Sequence, residues 1–491
     1  MSAPHQDDID DAPELLDAED ALEEVDDGDG DGDIAMDSDD EPEEIILQND
    51  SMAYFDSHKD SVFAIAQHPT QPSLIATGGG EGEGDDAPGK GYVFDTSPVV
   101  GRPVLPASYN ADPSSQQPRS IELKPLFTIE GHSDSINTLA FTLPNGEFLV
   151  SGGLDGRLRT YQLSVDARNK PSFTFVAESQ EVPEVNWLAP CPSPKFPNTI
   201  ALGASDGSVW VYTIDASDSS NPMQIVQSYF LHTEACTAGT WSPDGTFLAT
   251  VSEDSSLYVW DVWGEAAAKN LVNDNGQTVV SLTGQDQRFG VEGGLYSVAI
   301  DPKTSFVAVG GAGGAVKIVG LPRLGSDSQP TSSKQSKTKA KGVEAGSAQG
   351  GTILADLQTQ SDGIETLSFS SKQPLLAAGS VDGSIVVYDT SRRFAVRRHI
   401  KEAHEEFSVV KVEFVAGLGD GWLLTSCGMD GVVRRWDVRG AASSTETSLV
   451  KEWRGHRGDG EGGGVLGFVE GTTGERIVTA GDDGVVLVFE A

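Results

Sequence analysis

LLAAGSVDGSIVVYDT, residues 375–390, consists of an apolar run, a patch of small residues, an Asp-Gly pair and a second apolar run that ends in an aromatic residue. Apolar runs on both sides of Asp-Gly are typical of a β-hairpin, because glycine accepts the positive φ of a tight two-residue turn. The second run is rich in Val and Ile, which favour half-buried strands. The stretch therefore predicts two antiparallel strands joined by a tight turn.

The same pattern recurs along the chain, usually after another short apolar stretch. The further copies cover residues 148–163, 199–214, 247–262, 306–321, 422–438 and 476–491, and a divergent first copy covers residues 74–96. Self-similarity at a spacing of roughly forty residues or somewhat more is typical of radially stacked sheets, each with three or four strands. The repeats therefore predict an all-β fold built from eight similar units.

Two dipeptides mark these units. Gly-His occurs at 131–132 and 455–456, and Trp-Asp occurs at 260–261 and 436–437. With these motifs the chain resembles the WD-repeat β-propeller family over residues 45–491. The resemblance implies a single propeller, here of eight blades, in which a strand from residues 45–56 completes the last blade and removes an exposed sheet edge. Seven blades remain an alternative if the divergent first unit is malformed.

The resemblance also implies a buried hydrogen-bonded set in each blade, made of a His, a Ser or Thr, the turn Asp and a final Trp. The fifth unit departs from it, with Gly313 and Val319 in the Asp and Trp places. His58 and His456, also near repeat starts, are interpreted as structural too. The matching residues are His132, Ser151 and Asp155 (with Tyr161 in the Trp place), His232, Thr250, Asp254 and Trp260, and His404, Ser426, Asp430 and Trp436.

Residues 1–44 contain 21 acidic residues and no Lys or Arg. Such a segment cannot bury enough apolar surface to offset its ordering entropy, which predicts a disordered acidic tail. Within it, DGDGDGDIAMDS at 27–38 approaches a calcium-binding loop. The loop requires a bidentate carboxylate at its twelfth position, where this chain has Ser38, so we do not predict a metal site.

The whole chain is strongly acidic, with a formal net charge of −42. Such a field repels phosphate and attracts basic proteins, so direct nucleic-acid binding is not expected. No apolar run is long enough to span a bilayer, and the acidic N-terminus does not look like a signal peptide. Cys191, Cys236 and Cys427 are far apart and indicate neither disulfides nor zinc. We expect a monomer in the cytoplasm, with the nucleus as a second location.

Two glycine-rich stretches approach cofactor motifs. GDDAPGKG at 84–91 lacks the hydroxyl residue of a P-loop, because Gly91 stands in its place, and the following residues predict a strand rather than a helix. GGAGGA at 310–315 does not fit the dinucleotide-binding spacing. We therefore predict no catalytic residues, no cofactor and no metal.

Two segments depart from the repeat pattern and are interpreted as insertions. Residues 97–122 are rich in Pro, Ser and Gln, and residues 322–351 are rich in Ser, Lys and Gly. Both follow the second strand of a hairpin, so they should leave from the same face of the ring. The basic run 334–341 is either a solvated loop or a nuclear-import or tail-binding segment.

Aligning the repeats shows a carboxylate just before the first strand of nearly every unit. Propellers bind partners through loops on one face, and recurrence at one loop exceeds what general acidity requires. We therefore predict a carboxylate ring around the central channel that binds an Arg- and Lys-rich peptide. Its members are Asp60, Asp134, Glu184, Glu234, Glu292, Asp362, Glu405, Glu406, Asp459 and Glu461.

The acidic tail, the eight units and the divergent first blade, with HKDSVFAIAQHP at 58–69, together resemble one subfamily of WD-repeat proteins. It includes the fungal ribosome-assembly chaperone and its animal relative, angio-associated migratory cell protein. The resemblance implies a dedicated escort that binds the basic N-terminal segment of a newly made large-subunit ribosomal protein. A multi-partner signalling or trafficking scaffold, with Trp187 and Trp263 as candidate contacts, and an acidic histone chaperone remain alternatives.

Overall fold

The computed structural model describes residues 49–82, 87–99, 120–168, 170–324, 350–440, 448–457, 463–471 and 473–491. The predicted acidic tail 1–44, the calcium-like stretch at 27–38, the basic run 334–341 and the two carboxylates Asp459 and Glu461 lie outside the described residues.

The described residues form 33 strands, numbered here in chain order. The first sixteen are β1 (Ala53–Phe55), β2 (Ala64–Gln67), β3 (Leu74–Gly80), β4 (Gly89–Asp95), β5 (Ile121–Glu122), β6 (Pro125–Ile129), β7 (Ile136–Phe141), β8 (Phe148–Gly153), β9 (Leu158–Val165), β10 (Pro171–Ser179), β11 (Val185–Pro190), β12 (Thr199–Ala204), β13 (Val209–Ile214), β14 (Met223–Tyr229), β15 (Cys236–Trp241) and β16 (Phe247–Ser252).

The remaining strands are β17 (Leu257–Asp261), β18 (Thr278–Leu282), β19 (Leu295–Ile300), β20 (Phe306–Gly311), β21 (Ala315–Gly320), β22 (Ile353–Gln358), β23 (Ile364–Phe369), β24 (Leu375–Ser380), β25 (Ile385–Asp389), β26 (Ala395–Ile400), β27 (Val409–Phe414), β28 (Leu423–Gly428), β29 (Val433–Asp437), β30 (Leu449–Trp453), β31 (Val465–Val469), β32 (Arg476–Gly481) and β33 (Val486–Glu490). Five short 3-10 turns accompany them, at Ser97–Val99, Ala267–Lys269, Ala312–Gly314, Thr390–Arg392 and Gly419–Gly421.

The strands form eight sheets, which are the blades of a propeller. Blade 1 contains β2, β3, β4 and β6, blades 2 to 7 take the following strands four at a time from β7 to β30, and blade 8 contains β31, β32, β33, β1 and β5. The first strand of each blade contacts the first strands of both neighbours, and β2 contacts β31, which closes the ring. The predicted all-β, eight-bladed propeller is therefore confirmed.

The small residues of each repeat allow neighbouring blades to approach closely. A Cβ atom added to Gly78 in β3 would lie 2.5 Å from Cγ2 of Ile136, the first residue of the next inner strand. Gly379 in β24 stands in the same relation to Val409, at 2.8 Å from its Cγ1. These second strands are buried throughout because each is covered by the next blade. The small-residue patch is therefore the surface against which the following blade packs.

The turn between the second and third strands differs from the predicted two-residue turn. In blade 6 the N–H of Gly383 donates to the carbonyl of Ser380, and Gly383 adopts φ 76°. This is a type I turn followed by a left-handed residue. The side chain of Asp382 stabilises it by accepting from the N–H of Ser384 at 2.9 Å. The Asp-Gly pair is thus required for its side-chain acceptor as much as for its glycine.

The His-Ser-Asp-Trp set is complete in blade 7. A carboxylate can only accept, so Nδ1–H of His404 donates to Asp430 over 2.8 Å. Nε2 of His404 then accepts from the hydroxyl of Ser426 at 2.7 Å, and that hydroxyl accepts from the indole N–H of Trp436 at 2.8 Å. All four residues are buried, so the set satisfies polar groups in the interior.

In blade 2 the set is partial. His132 contacts Ser151 at 2.8 Å and Asp155 at 3.1 Å, as the repeat pattern predicts. Tyr161, in the Trp place, donates its hydroxyl to the carbonyl of Glu130 at 3.3 Å. The tyrosine therefore fixes the loop before the blade as well as filling the core.

Blade 4 departs in a different way. His232 contacts Thr250 at 2.8 Å, and Trp260 donates to the same hydroxyl at 2.8 Å. Nδ1 of His232, however, lies 4.0 Å from Asp254 and instead contacts the hydroxyl of Ser256 at 2.6 Å. The Ser256 hydroxyl donates to Asp254, so a serine relays the contact between the imidazole and the carboxylate.

Histidines near the other repeat starts are buried as well. His456 contacts Asp483 at 3.0 Å and Thr479 at 2.7 Å. His58 contacts Thr77 at 2.9 Å, and burial lowers the pKa of His58 to about 4. In blade 6 the histidine is replaced by Gln360, whose amide donates to the Ser384 carbonyl at 3.0 Å. These polar side chains serve the interior of the blades.

The ring is closed by a strand from the N-terminal part of the chain. Strand β1 pairs antiparallel with β33, with Phe55 opposite Val486. The ring of Phe55 is buried and stacks on Phe94 of blade 1 at 4.8 Å between centroids. The end of the 97–122 insertion is also ordered, because β5 pairs parallel with β1 at the outer edge.

Both insertions leave from the same face. They connect the third and fourth strands of blades 1 and 5, on the face opposite the Asp-Gly turns. In the described residues, no helix is long and apolar enough to cross a membrane.

We predict that Phe55→Ala lowers the free energy of unfolding by about 3–5 kcal/mol, because it removes a fully buried aromatic ring at the closure. Urea titration of the full chain measures this loss. Phe175→Ala is the matched control, because Phe175 is half exposed on the outer strand β10 and should cost less than about 1 kcal/mol. An equal loss in both variants would contradict a special role for the closing strand.

We also predict that Asp430→Asn costs about 3 kcal/mol of unfolding free energy, because Asp430 neutralises the buried Arg434 and accepts from His404. Burial alone would raise the pKa of Asp430, but its contacts with His404 and then Arg434 lower it. The control is Asp437→Asn in the same blade, which breaks an exposed pair with Arg439 and should cost less than about 1 kcal/mol. Comparable losses would show that burial of the pair does not matter.

Candidate partner-binding face

One face of the ring carries two kinds of loop. The loops that precede the innermost strands and the turns between second and third strands lie together, as backbone bonds between them show. The N–H of Ser205 donates to the carbonyl of Glu184 at 3.3 Å, and the N–H of Val381 donates to that of Gly363 at 2.9 Å. We call this side, defined by these two sets of loops, the acidic face.

The structure places each described carboxylate of the predicted ring just before an innermost strand. Asp60 and Asp134 are half-buried, and the others are exposed. The described members are Asp60, Asp134, Glu184, Glu234, Glu292, Asp362, Glu405 and Glu406.

Three aspartates of the ring are held in the same way. Oδ1 of Asp60, Asp134 and Asp362 accepts from the N–H of the following residue, at 2.8, 2.6 and 2.7 Å. This contact fixes the carboxylate against its own backbone. A fixed carboxylate loses less conformational entropy when a cation binds it than a mobile one does.

The repeat alignment missed three further carboxylates on this face. Glu253 and Asp482 directly precede the turn Asp of blades 4 and 8, and Glu365 follows the first residue of β23. Each lies one residue beside a position that the alignment had assigned to the turn or to the core. The signal was the doubled acid of Glu253–Asp254 and Asp482–Asp483, which a search confined to the loops before the first strands does not use.

Carboxylates of blades 4 and 6 converge around one tyrosine of blade 5. Burial, and then the charges of Glu253, Glu365 and Glu234, raise the pKa of Tyr296. The hydroxyl of Tyr296 donates to the carbonyl of Gly293 at 2.6 Å, which leaves the phenol ring half exposed. Tyr296, in blade 5, therefore marks the point where charge from blades 4 and 6 overlaps.

None of the described carboxylates of the predicted ring forms an ion pair with a described residue, whereas neighbouring carboxylates outside that ring do. In blade 1, Glu81 pairs with Lys59 at 2.9 Å and with Lys90 at 3.3 Å. In blade 2, Glu178 pairs with Arg159. Six carboxylates of blades 3 to 6 instead form no ion pair with any described residue. These are Glu184, Glu234, Glu253, Glu292, Asp362 and Glu365.

This arrangement can bind cations through charge and hydrogen bonding. In the described part of the chain, no group of three or more His, Cys, Asp or Glu side chains is placed to hold a metal ion. The near P-loop has no phosphate cradle at its described end, because Gly89 begins strand β4 and a Cβ there would lie 2.1 Å from the Asp134 carbonyl oxygen. Gly89 instead allows close packing of blades 1 and 2.

The two tryptophans considered as partner contacts are engaged in packing. The indole of Trp187 covers Gly203 and Gly239, where a Cβ would lie 2.3 and 2.1 Å from it. Trp263 stacks on Phe196 at 3.5 Å between ring centroids. Neither is an exposed anchor on the acidic face.

Three stretches of the chain match the family "WD domain, G-beta repeat", at residues 123–162, 223–261 and 351–389. Each match spans the last strand of one blade and the first three of the next. This offset is the reason that the ring needs a strand from the start of the chain to complete its last blade.

The chain is similar over nearly its whole length to known proteins. The crystal structure of Chaetomium thermophilum Sqt1 bound to the N-terminus of the ribosomal protein L10 is 62% identical, covers 90% of this chain and 100% of that chain, and superposes with a TM-score of 0.78. The ribosome assembly protein SQT1 of Saccharomyces cerevisiae is 29% identical over 94% of this chain and 91% of its own length. Human angio-associated migratory cell protein is 23% identical over 91% and 83%.

We predict that the acidic face loses affinity for cations on mild acidification. Partial burial and then the charge of Asp362 raise the pKa of Glu365, so this carboxyl takes up its proton at a higher pH than an ordinary glutamate. As the pH falls from about 7 toward the ordinary glutamate range at about 4.3, binding of an octa-arginine peptide should therefore begin to weaken at a higher pH, and with a steeper initial slope, in the wild type than in Glu365→Gln.

Isothermal titration calorimetry at low, fixed ionic strength measures this slope. The matched variant Glu184→Gln removes the same charge from the same face but leaves Glu365 in place, so it should keep the slope of the wild type. An unchanged slope in Glu365→Gln would contradict the assignment.

Proposed function

The chain belongs to the Sqt1 family of WD-repeat proteins, and from this premise we propose that it is a dedicated escort for a newly made large-subunit ribosomal protein. It would bind the basic N-terminal segment of that client, with ribosomal protein L10 as the first candidate, on its acidic face. It would then release the client during ribosome assembly.

The observation that carries this proposal is the arc of unpaired carboxylates in blades 3 to 6. Carboxylates without a cation of their own are free to accept one from a partner. Arg side chains suit them because the guanidinium can donate two parallel hydrogen bonds to one carboxylate. The similarity to a family member whose structure contains the N-terminus of L10 supports the choice of client.

The energetics favour a capture role. An exposed ion pair contributes only about 0.2–1 kcal/mol, so one pair cannot hold a client. Several pairs on one face add together, and a strongly acidic field also accelerates the encounter with a basic chain. The same carboxylates would keep the client's cations away from RNA until delivery.

The proposal concerns binding rather than catalysis. It assigns no catalytic residue, cofactor or metal. We place capture in the cytoplasm, where ribosomal proteins are made, and extend the proposal to escort into the nucleus.

Charge reversal tests the proposal. The triple variant Asp134→Lys, Glu234→Lys and Asp362→Lys should weaken binding of a synthetic N-terminal peptide of ribosomal protein L10 by about 10- to 100-fold, because three attractive contacts become repulsive. Calorimetry at moderate salt gives the dissociation constant. Wild-type binding should itself weaken as salt increases.

The matched control reverses three carboxylates on the opposite face, Glu265→Lys, Asp274→Lys and Glu475→Lys, and changes the net charge equally. Equal losses in both triple variants would show that only net charge matters. Affinity purification with mass spectrometry then separates the alternatives. Histones retained by the wild type and lost with the acidic-face variant would favour a histone chaperone and overturn the choice of client.

A further inference from the structure

The innermost strands are joined to their neighbours by side chains at one recurrent position. In seven blades, the residue after the first residue of the innermost strand is skipped by the strand register, and we call it the bulge position. In blade 1 the same alignment assigns it to Phe63, just before Ala64, which pairs with Gly78. The eight residues at this position are Phe63, Asn137, Asn186, Thr237, Tyr296, Glu365, Val410 and Leu466.

In blades 2 to 4 the bulge position connects adjacent blades. The amide of Asn137 donates to the carbonyl of Val185 at 3.2 Å, and the amide of Asn186 donates to that of Cys236 at 3.1 Å. The hydroxyl of Thr237 donates to the carbonyl of Leu295 at 2.6 Å. Polar residues at this position thus stabilise the ring from within the channel.

Three consecutive blades depart from this pattern. Blades 7, 8 and 1 carry Val410, Leu466 and Phe63, which have no polar atom to donate across the ring. Phe63 is 42% exposed. Val410 and Leu466 are half-buried, so the three residues together form a partly exposed apolar patch at a place where blades 2 to 6 have polar residues. A contiguous apolar patch points to a ligand.

Two of these residues, Phe63 and Leu466, line a cavity between the innermost strands β2, β7, β27 and β31. Its volume is about 210 Å³, and its wall combines Phe63, Ile65 and Leu466 with the polar residues Asn137, Thr138 and Lys411. An apolar cavity of about 150 Å³ can hold benzene. The cavity is therefore large enough for one aromatic or branched aliphatic side chain.

We infer that this cavity, with Phe63 and Leu466 at its mouth, is a subsite for a single aromatic or large aliphatic side chain of the same basic segment that the acidic face binds. The inference rests on the proposed function and adds a specificity determinant to it. We assign the occupant to the client because Phe63 and Leu466 share the bulge position with Tyr296 and Glu365 of the acidic face. The apolar and the acidic surfaces are therefore continuous around the ring.

The charges at the channel orient such a segment. Lys411 lies in the cavity wall, where its ammonium group pairs with Glu413 at 2.9 Å and donates to the carbonyl of Phe468 at 2.9 Å. Because Glu413 neutralises this cation, the cavity wall does not attract Arg and Lys, whereas the carboxylates around Tyr296 do. The face therefore selects a segment in which basic residues are followed or preceded by one apolar anchor.

A double-mutant experiment tests the subsite. The probe is the synthetic N-terminal peptide of ribosomal protein L10, together with a panel in which each aromatic or aliphatic side chain is replaced singly by Ser. Phe63→Ser in the full chain should weaken binding of the parent peptide by about tenfold, because the apolar anchor of the peptide loses its contact with the Phe63 ring. One peptide of the panel, the one without the anchor side chain, should bind the wild type as weakly as the parent peptide binds Phe63→Ser. Its affinity should not fall further in Phe63→Ser.

Two controls keep the result interpretable. Phe175→Ser removes a comparably exposed phenylalanine from the outer strand of blade 2 and should leave the dissociation constant unchanged. Leu466→Ser should reproduce the effect of Phe63→Ser, and unchanged thermal midpoints would show that the fold is intact.

The failures of the two proposals are distinguishable. If the parent peptide binds and the acidic-face reversals abolish binding, but Phe63→Ser and Leu466→Ser bind it as the wild type does, the subsite is overturned and the escort function stands. The subsite is also overturned if every peptide substitution lowers the binding free energy by the same amount in Phe63→Ser as in the wild type, because the losses are then independent. If the parent peptide does not bind the wild type, both proposals are overturned.

Discussion

The close contact between an apolar residue and a glycine of the preceding blade is the constraint on which the ring depends. Ile136 lies against Gly78, where any Cβ would come within 2.5 Å of its side chain. Because this contact recurs, each blade is placed on the next at a similar distance and the sheets close into a ring. Val185 packs in the same way against Gly152, Ile364 against Gly310 and Val409 against Gly379. Once these residues are fixed, the loop residues just before them must all emerge on one face.

Much of this architecture could be predicted from the sequence because the information is local and repeated. Eight hairpin patterns predict eight sheets, and the offset between repeat and blade predicts a closing strand. The two-residue strand β5 could not be predicted, since Ile121–Glu122 has no periodicity and depends on β1 for its pairing. Nor could the relay through Ser256, because spacing alone does not distinguish a direct His232–Asp254 contact from one that a hydroxyl bridges.

The position of the candidate site could be predicted from the sequence, but the pairing of its acidic residues with cations could not. The loop before each first strand identifies the carboxylates of the ring, but whether another acidic residue on this face is neutralised depends on cations from other strands. Glu81, for example, is paired with Lys59 and Lys90, which are distant from one another in sequence. Conversely, Glu365 and Tyr296 resemble ordinary strand residues in the sequence. Only the bulge in the innermost strand turns them toward the acidic cluster, and the hydrophobic pattern does not reveal a bulge.

An acidic face alone would bind any basic chain, so selectivity requires a second kind of contact. Exposed ion pairs contribute little individually and weaken with salt, which suits rapid capture and also release, because RNA phosphates can replace them one at a time. An apolar cavity is less sensitive to salt and rejects segments that lack an anchor at the right distance from their cations. Phe63 and Glu365 both occupy the bulge position of the innermost strands, so that distance is set by the propeller itself. A client recognised in this way is selected by the spacing of its apolar and basic side chains rather than by its charge alone.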